Sequence, residues 1–218
     1  MPRPYVILNS AMSVDGKIAT VTGDSSLSCR EDLRRLHRLR AEVDAVMVGA
    51  GTIISDNPSL TVRMAEGRNP IRVVVDGRCR IPLNARVLDR SAKTVIAVSD
   101  AAPKRKLEAL RKKGVTVIMG GGRKVDLSKL LSRLYSMGVR KMLLEGGSML
   151  NWEMLSRGLV DEIRVAVSPV VLGGKNAKSL VGGKGFKKVS CGLRLELLET
   201  GKVGENLLLR YRIRGAGT

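Results

Sequence analysis

The stretch from residue 141 to residue 153, KMLLEGGSMLNWE, constrains the fold of this chain more than any other. Three apolar residues after a lysine predict a short buried strand, Gly146 and Gly147 interrupt it, and Ser148 is expected to cap the helix that follows. A glycine turn lets the backbone approach a ligand closely, and a helix N-terminus favours an anion such as a pyrophosphate. A plain turn with Glu145 as a solvated strand end has the same pattern, and this stretch alone does not decide between the two.

Strand and helix patterns alternate along most of the chain. Apolar strand patterns lie at 5–8, 45–49, 70–75, 94–98, 115–119 and 141–144, with helical patterns at 30–41, 102–113, 127–137 and 149–155. This alternation predicts an α/β fold with a mostly parallel central sheet and helices on both faces. After Gly158, strand patterns at 161–167, 193–198 and 206–212 follow one another without helices, which predicts antiparallel strands at a sheet edge. No repeat or low-complexity linker divides the sequence, so we expect one domain over residues 1–218.

The chain is strongly basic, and its charge suggests anionic partners. There are 39 Lys+Arg against 20 Asp+Glu, a net charge of +19, which favours phosphorylated small molecules or polyanions. A nucleic-acid-binding protein is the non-enzyme alternative. However, the basic residues are dispersed, and one Phe, three Tyr and one Trp are too few for a base-stacking surface. We therefore expect no nucleic-acid partner.

Cysteine and histidine are too sparse to suggest a metal site. Cys29, Cys79 and Cys191 lack C-x-x-C spacing, and His37 is the only histidine, so we expect no metal ion. No apolar run approaches the length of a membrane span, and the N-terminal residues lack the apolar core of a signal peptide. We expect a cytoplasmic protein with no membrane partner.

A second candidate ligand site follows the strand pattern at 45–49. Thr52, Asp56, Asn57 and Arg63 bring a hydroxyl, a carboxylate, an amide and a guanidinium into one segment after a strand end. Ligand crevices of open α/β sheets lie at such strand ends. Pro58 is expected to end the intervening helical turn before it. Any one of these residues fits a polar loop, whereas the four together favour a binding site.

Three motifs occur in order along the chain: NSAMSVDGKIA at 9–19, GT at 51–52 followed by DNPxLTxR at 56–63, and LEGG at 144–147. Together they resemble the reductase domain of riboflavin biosynthesis, which has a dihydrofolate reductase-like fold, and the resemblance covers nearly the whole chain. Bacteria often fuse this domain to a zinc deaminase with H-x-E and P-C-x-x-C elements, which this sequence lacks. The chain therefore resembles the stand-alone reductases of archaea and fungi.

The resemblance implies a reaction and a substrate site. NADPH would reduce the ribosylamino side chain of a phosphorylated pyrimidine to the ribitylamino form, with Asp56, Glu145 or water supplying a proton. Substrate contacts carried over by position fall on Ser25, Arg40, Leu60, Arg63 and Glu145. Guanidinium forks match phosphate oxygens, so Arg40 and Arg63 are expected to bind the 5′-phosphate. Helix termination and solubility are the alternative for Arg40.

The resemblance also implies a cofactor site for NADPH. Its contacts fall on Ala11, Leu27, Thr52, Asp56, Gly77, Gly146, Gly147, Ser148, Met149, Leu150 and Asn151. Arg78, just past a strand end, is our candidate for the 2′-phosphate, with an ordinary turn arginine as the alternative. Trp152 is expected to pack in the core and not against the cofactor.

Several alternatives stay open at this level. The pyrimidine carries either a 2-amino group or the deaminated carbonyl, and the missing deaminase motifs favour the diamino form. A dihydrofolate or pterin reductase shares the fold, but two arginines suit a phosphorylated sugar better than a pterin ring. The resemblance further implies a homodimer.

Overall fold

The computed structural model describes residues 1–214 and contains, within them, nine β-strands and five α-helices. The strands are β1 (Tyr5–Ser13), β2 (Ala45–Gly49), β3 (Ile71–Val75), β4 (Thr94–Val98), β5 (Thr116–Met119), β6 (Lys141–Leu144), β7 (Glu162–Ser168), β8 (Leu195–Val203) and β9 (Asn206–Ile213). The helices are α1 (Arg30–Ala41), α2 (Ala50–Asp56), α3 (Lys104–Lys112), α4 (Leu127–Ser136) and α5 (Ser148–Leu155).

The chain divides into two compact units. The first comprises residues 1–5 and 37–143, and the second comprises, within the described residues, 6–36 and 144–214. One domain over residues 1–218 stays a prediction.

The first unit contains strands in the order β5, β4, β3, β2, β6. β2 pairs with β3, β3 with β4 and β4 with β5, each in parallel. Residues 45–48 and 94–98 are all buried, which explains why the sequence shows continuous apolar runs there and no alternation. Because parallel strands end at the same edge, the segments that follow β2, β3 and β4 share that edge.

Local sequence explains where the helices of the first unit begin and end. α2 starts directly after β2 and ends at Asp56, its C-cap Asn57 has a left-handed φ of 43°, and Pro58 disfavours further helix. The predicted end of this helix is confirmed. Asp126 caps α4 by accepting a hydrogen bond from the Lys129 N–H. Its position directly before an apolar helical run predicts this cap.

The second unit contains strands in the order β1, β7, β9, β8. β7 pairs with β9 and β9 with β8 in antiparallel orientation, as predicted for the C-terminal strands. β7, however, also pairs in parallel with β1, so the prediction of an antiparallel edge strand is wrong for β7. The reason is burial: Ile163, Val165 and Ala166 are buried within the unit, whereas β8, the edge strand, alternates between exposed and half-buried residues over much of its length.

The predicted fold class, α/β with a mostly parallel sheet and antiparallel C-terminal strands, is confirmed. Within residues 1–214, no helix combines the length and the apolar character needed to cross a membrane.

Candidate functional site

In the first unit, the two arginines predicted to bind a phosphate meet at Thr61. Arg40, at the end of α1, donates from Nη1 to the Thr61 carbonyl at 3.1 Å, and Arg63 donates from Nη1 to Thr61 Oγ1 at 3.1 Å. Arg40 is only 6% exposed, which argues against a purely solubilising role because unpaired surface arginines stay in water. The structure thus brings both guanidinium groups to one residue.

The loop that carries Thr61 is held by hydrogen bonds from its backbone to two side chains, the buried His37 and the exposed Asn69. Leu60 is buried and has a φ of 54°, a left-handed conformation that is costly for leucine. His37 Nδ1 accepts a hydrogen bond from the Arg63 N–H at 3.0 Å, and Asn69 Oδ1 accepts one from the Val62 N–H at 2.8 Å. The backbone around Arg63 is therefore fixed, although the residue itself is exposed.

The segment after β2 positions two further candidates. Thr52 and Asp56 lie four residues apart on α2 and therefore share a face of the helix. Thr52 is half-buried and Asp56 is exposed. The following Asn57 accepts a hydrogen bond from the Arg86 N–H at 2.9 Å, which ties the end of this helix to the neighbouring loop.

The segment after β3 carries the candidates Gly77 and Arg78. The Gly77 carbonyl accepts hydrogen bonds from Ser99 N–H at 3.0 Å and from Ser99 Oγ at 2.7 Å. Asp76 Oδ2 accepts one from the Ile81 N–H at 2.9 Å. The turn is thus rigid and presents Arg78 as an exposed cation, and its role toward a 2′-phosphate stays a prediction.

In the second unit, Gly146 and Gly147 lead directly into α5. Gly146 is buried, with a φ of 90°, and the peptide bond between the two glycines is cis. Gly147 occupies the N-cap position, and its carbonyl accepts a hydrogen bond from the Asn151 N–H at 2.9 Å. The prediction that Ser148 caps the helix is therefore wrong, because the hydrogen-bond ladder already starts at Gly147 and Ser148 is the first helical residue.

Asn151 faces this glycine turn from inside the unit. The residue is 1% exposed, and its Nδ2 donates to the Leu180 carbonyl at 2.8 Å. Its Oδ1 has no hydrogen-bond partner among residues 1–214. A Cβ built on Gly146 would lie 3.5 Å from Nδ2 and 3.6 Å from Oδ1. A buried acceptor without a donor costs on the order of 1–3 kcal/mol, so this oxygen is suited to accept a hydrogen bond from a ligand at the turn.

The other candidates of the second unit occupy several elements. Glu145 is half-buried before the glycine turn, Met149 is exposed and Leu150 is buried on α5. Ala11 lies on β1 opposite Ala166, while Ser25 is exposed and Leu27 is buried in the loop before α1. Their contacts with substrate and cofactor stay predictions.

Trp152 is half-buried and packs edge-to-face against Phe186, with ring centroids 5.1 Å apart. Phe186 is itself exposed, so this pair lies at the surface of the unit and the expected core position of Trp152 is wrong. The segment that carries Phe186 is rich in glycine, and the local sequence does not predict that it packs against the Trp152 indole.

Two supporting residues escape analysis of the sequence alone. His37 holds the backbone of Arg63, and the only signal for it is its place three residues before Arg40 on one helix. Asp15, for which the sequence predicts only a turn, accepts hydrogen bonds from the N–H groups of Leu172 and Gly173. Within the described part of the chain, no three His, Cys, Asp or Glu side chains cluster in a way that could hold a metal ion.

The fold is that of the dihydrofolate reductase-like reductases. It is similar to dihydrofolate reductase from Enterococcus faecalis, with a TM-score of 0.54 at 14% identity over 97% of both chains. It is also similar to RibD from Acinetobacter baumannii, with a TM-score of 0.85 at 28% identity, covering 97% of this chain and 58% of that longer one. The chain belongs to the family described as the RibD C-terminal domain, which matches residues 4–209.

Full-length relatives carry the name of one reductase. A protein of Methanothermobacter thermautotrophicus is 50% identical over 98% of this chain and 100% of its own length. One of Aquifex aeolicus is 44% identical over 98% of each. Both are named 2,5-diamino-6-ribosylamino-4(3H)-pyrimidinone 5′-phosphate reductase.

Proposed function

We propose that this chain is an NADPH-dependent reductase of riboflavin biosynthesis. Its substrate is 2,5-diamino-6-ribosylamino-4(3H)-pyrimidinone 5′-phosphate, as the names of its full-length relatives suggest. The product is the ribitylamino form of the same pyrimidine.

The observation that carries the substrate class is the convergence of Arg40 and Arg63 on Thr61. Two guanidinium groups held at one loop suit the oxygens of a phosphate monoester, because each presents donors in a planar fork. Arg63 is exposed on a fixed backbone and is the proposed direct ligand of the phosphate, while the buried Arg40 is proposed to add positive charge at the same loop. Leu60 and Ser25 are the proposed neighbours of the sugar, with Glu145.

The glycine turn and α5 support the cofactor assignment. Gly146 and Gly147 keep side chains away from the turn, the first turn of α5 offers N–H groups to a pyrophosphate, and Asn151 Oδ1 offers a buried acceptor for a ligand donor. NADPH supplies, when bound, the hydride that reduces C1′ of the ribosylamino group. Arg78 is the proposed ligand of its 2′-phosphate, and Ala11, Leu27, Thr52, Asp56 and Gly77 are its other proposed contacts.

Asp56 and Glu145 are the proposed groups that deliver a proton to the ribosylamine nitrogen, with water as the alternative. Their amide variants, Asp56→Asn and Glu145→Gln, distinguish these routes in single-turnover experiments. We expect one of the two to slow reduction by roughly two orders of magnitude, as loss of a general acid does. Unchanged rates in both would assign proton delivery to water.

The test of the function is NADPH oxidation with three substrates side by side: the diamino compound, its deaminated form and dihydrofolate. We expect oxidation with the diamino compound. Oxidation with the deaminated compound alone would assign the bacterial reaction order, and oxidation with dihydrofolate alone would assign a dihydrofolate reductase. Salt-sensitive binding of DNA without binding of NADPH would favour the nucleic-acid alternative.

The proposal includes a cytoplasmic homodimer without nucleic-acid or membrane partners. Light scattering coupled to size exclusion tests the oligomeric state, with a mass of twice 23.6 kDa expected. Fractionation of cells tests the location.

A further inference from the structure

A long irregular segment of the second unit runs between the Asp-Gly turn after β1 and the first turn of α5, which belongs to the proposed cofactor site. We call residues 170–183 the strap. They follow β7 and contain no helix and no strand beyond a single bridge between Ser179 and Lys17. Despite this, hydrogen bonds hold the strap along both of its sides.

On one side, the strap is bound to the Asp-Gly turn that follows β1. Asp15 Oδ1 accepts a hydrogen bond from the Leu172 N–H at 3.0 Å, and Asp15 Oδ2 accepts one from the Gly173 N–H at 2.8 Å. The turn itself is tightened by Ser13 Oγ, which donates to Asp15 Oδ1 at 2.6 Å. Both carboxylate oxygens therefore accept hydrogen bonds. An ionised carboxylate suits this role because it has no proton to donate.

Further along, backbone hydrogen bonds continue this contact. The Val14 N–H donates to the Val170 carbonyl at 2.9 Å, and the Ile18 N–H donates to the Lys178 carbonyl at 2.8 Å. The Leu180 N–H donates to the Gly16 carbonyl at 3.0 Å. The strap thus follows the turn from its first residue to Leu180.

On the other side, the strap is bound to the first turn of α5. The Leu180 carbonyl accepts the hydrogen bond of Asn151 Nδ2, and the Gly182 N–H donates to the Ser148 carbonyl at 3.1 Å. Leu180 therefore links the Asp-Gly turn to Asn151, because its N–H donates to the Gly16 carbonyl and its own carbonyl accepts from Asn151 Nδ2. This linkage orients the amide whose Oδ1 is left for a ligand.

Gly183, the last residue of the strap, packs tightly against the Trp152 indole. A Cβ added to Gly183 would lie 2.1 Å from Cδ1 of the Trp152 indole. Since an indole is a rigid ring, any side chain at Gly183 displaces the strap or the helix beneath it. The strap therefore packs directly on α5 at Gly183.

We propose that Asp15 is a positioning residue of the NADPH site: its carboxylate fixes the strap, and the strap fixes Asn151 and the first turn of α5. This inference rests on the proposed function, because it assigns Asp15 a part in binding the proposed cofactor. The ionised carboxylate is the required form. The pKa of Asp15 is lowered to about 2, first by the Ser13 hydroxyl and then by the Leu172 N–H, so the strap is held throughout the physiological range.

The first test is Asp15→Asn, which turns one acceptor oxygen into a donor that faces a backbone N–H. We expect the dissociation constant for NADPH, measured by calorimetry, and the KM for NADPH to rise roughly tenfold. The value of kcat and the KM for the pyrimidine should change by less than about twofold, because Asp15 has no proposed contact with the pyrimidine or with the reacting atoms. Hydrogen exchange should accelerate at Leu172, Gly173, Leu180 and Gly182 and not in β1.

The matched control is Asp126→Asn. Asp126 also accepts a backbone N–H, that of Lys129 at 3.1 Å, but it lies in the first unit and asparagine caps a helix equally well. Its NADPH affinity should equal that of the wild type.

The second test is Gly183→Ala, compared with Gly185→Ala. Both glycines have left-handed backbones, with φ of 78° and 68°, but Gly185 has no atom within 4 Å of an added Cβ. We expect Gly183→Ala to weaken NADPH binding roughly tenfold and Gly185→Ala to leave it unchanged. If Asp15→Asn does not fold, this pair of variants still tests whether the strap supports NADPH binding.

Wild-type affinity for NADPH in a folded Asp15→Asn protein would overturn the inference, as would wild-type affinity in Gly183→Ala. A wild-type protein that fails to bind NADPH would instead refute the proposed function. The two failures are therefore distinguishable: the first leaves NADPH binding intact in the variants, and the second shows no NADPH binding in the wild type.

Discussion

At the scale of single residues, His37 holds the backbone that presents a proposed phosphate ligand. Its Nδ1 accepts the Arg63 N–H at 3.0 Å from a position that is 3% exposed, so the imidazole must keep this nitrogen unprotonated. His37→Phe keeps a buried ring but removes the acceptor. Because an unpaired N–H costs on the order of 1 kcal/mol or more, we expect the KM for the phosphorylated pyrimidine to rise roughly fivefold.

His37→Asn is the companion variant, since its side-chain oxygen restores an acceptor near Nδ1. Arg38→Gln, an exposed neighbour on α1, serves as the control. Equal KM values for His37→Phe and Arg38→Gln would show that the His37 hydrogen bond does not matter for substrate binding.

Sequence predicts part of this residue-level picture. The types and spacing of Arg40 and Arg63 suggest phosphate ligands, and the structure places both at Thr61. The role of Thr61 as their common acceptor is not predictable, because it depends on the left-handed backbone of Leu60. A buried leucine in that conformation follows from packing of the whole loop and has no local signal.

At the scale of elements, a buried arginine joins two strands to the loop before β4. Arg72 on β3 is 0% exposed and donates to Thr94 Oγ1, Asp89 Oδ1, and the carbonyls of Asp89 and Ala92. Arg72→Leu removes all of these donors. We expect the free energy of unfolding in urea to fall by about 3 kcal/mol, because the Thr94 hydroxyl and the carbonyls of Asp89 and Ala92 each lose a charged donor worth roughly 1 kcal/mol.

Arg80→Leu is the matched control for this measurement. The Arg80 side chain is 60% exposed and its nearest carboxylate oxygen, on Asp76, is 3.9 Å away, so its loss should cost less than about 1 kcal/mol. Similar losses in both variants would mean that the donors of Arg72 are not what stabilises these strands.

β7 and β9 are joined by an ionic network centred on Glu162. Its Oε1 accepts from Arg164 Nε at 2.6 Å and from Arg210 Nε at 3.0 Å. Burial raises the pKa of Glu162, but the hydrogen bonds and charges of Arg164 and Arg210 outweigh burial and hold it below the ordinary value. The stabilisation by Glu162 is therefore present above about pH 4.3, the ordinary pKa of a glutamate, and is lost as the pH falls through the lowered pKa.

Glu162→Gln tests this pH dependence. The difference in free energy of unfolding between wild type and variant should be largest near neutral pH and shrink as the pH falls below about 4.3 and through the lowered pKa of Glu162. Glu196→Gln, whose partner Arg212 is 3.9 Å away on the surface, should show little difference at any pH. A difference for Glu162→Gln that is constant with pH would assign its effect to packing.

At the scale of the whole molecule, the net charge of +19 favours encounter with anions. The proposed substrate and cofactor are both anionic, so kcat/KM should fall several-fold when ionic strength rises from about 0.02 M to about 0.3 M, which shortens the Debye length. A neutral osmolyte at equal osmolality is the control. A flat profile in salt would show that the excess charge does not assist binding.

Sequence predicts the class and order of elements at this scale, because strands buried on both faces leave continuous apolar runs, as at residues 45–48. It does not predict that β7 pairs with β1, where Ile7 lies opposite Glu162. Nor does it predict that Leu180 accepts from Asn151. Both contacts join residues far apart in the chain, and no local pattern records them.

The packing of Gly183 on the indole gives the protein an intrinsic optical probe. Trp152 is the only tryptophan of the chain, and it lies on α5 under the end of the strap. All indole fluorescence therefore originates at this one contact, without labelling. Changes in its intensity and emission wavelength report the seating of the strap in real time, and energy transfer from the indole to a bound nicotinamide reports occupancy of the neighbouring turn in the same recording.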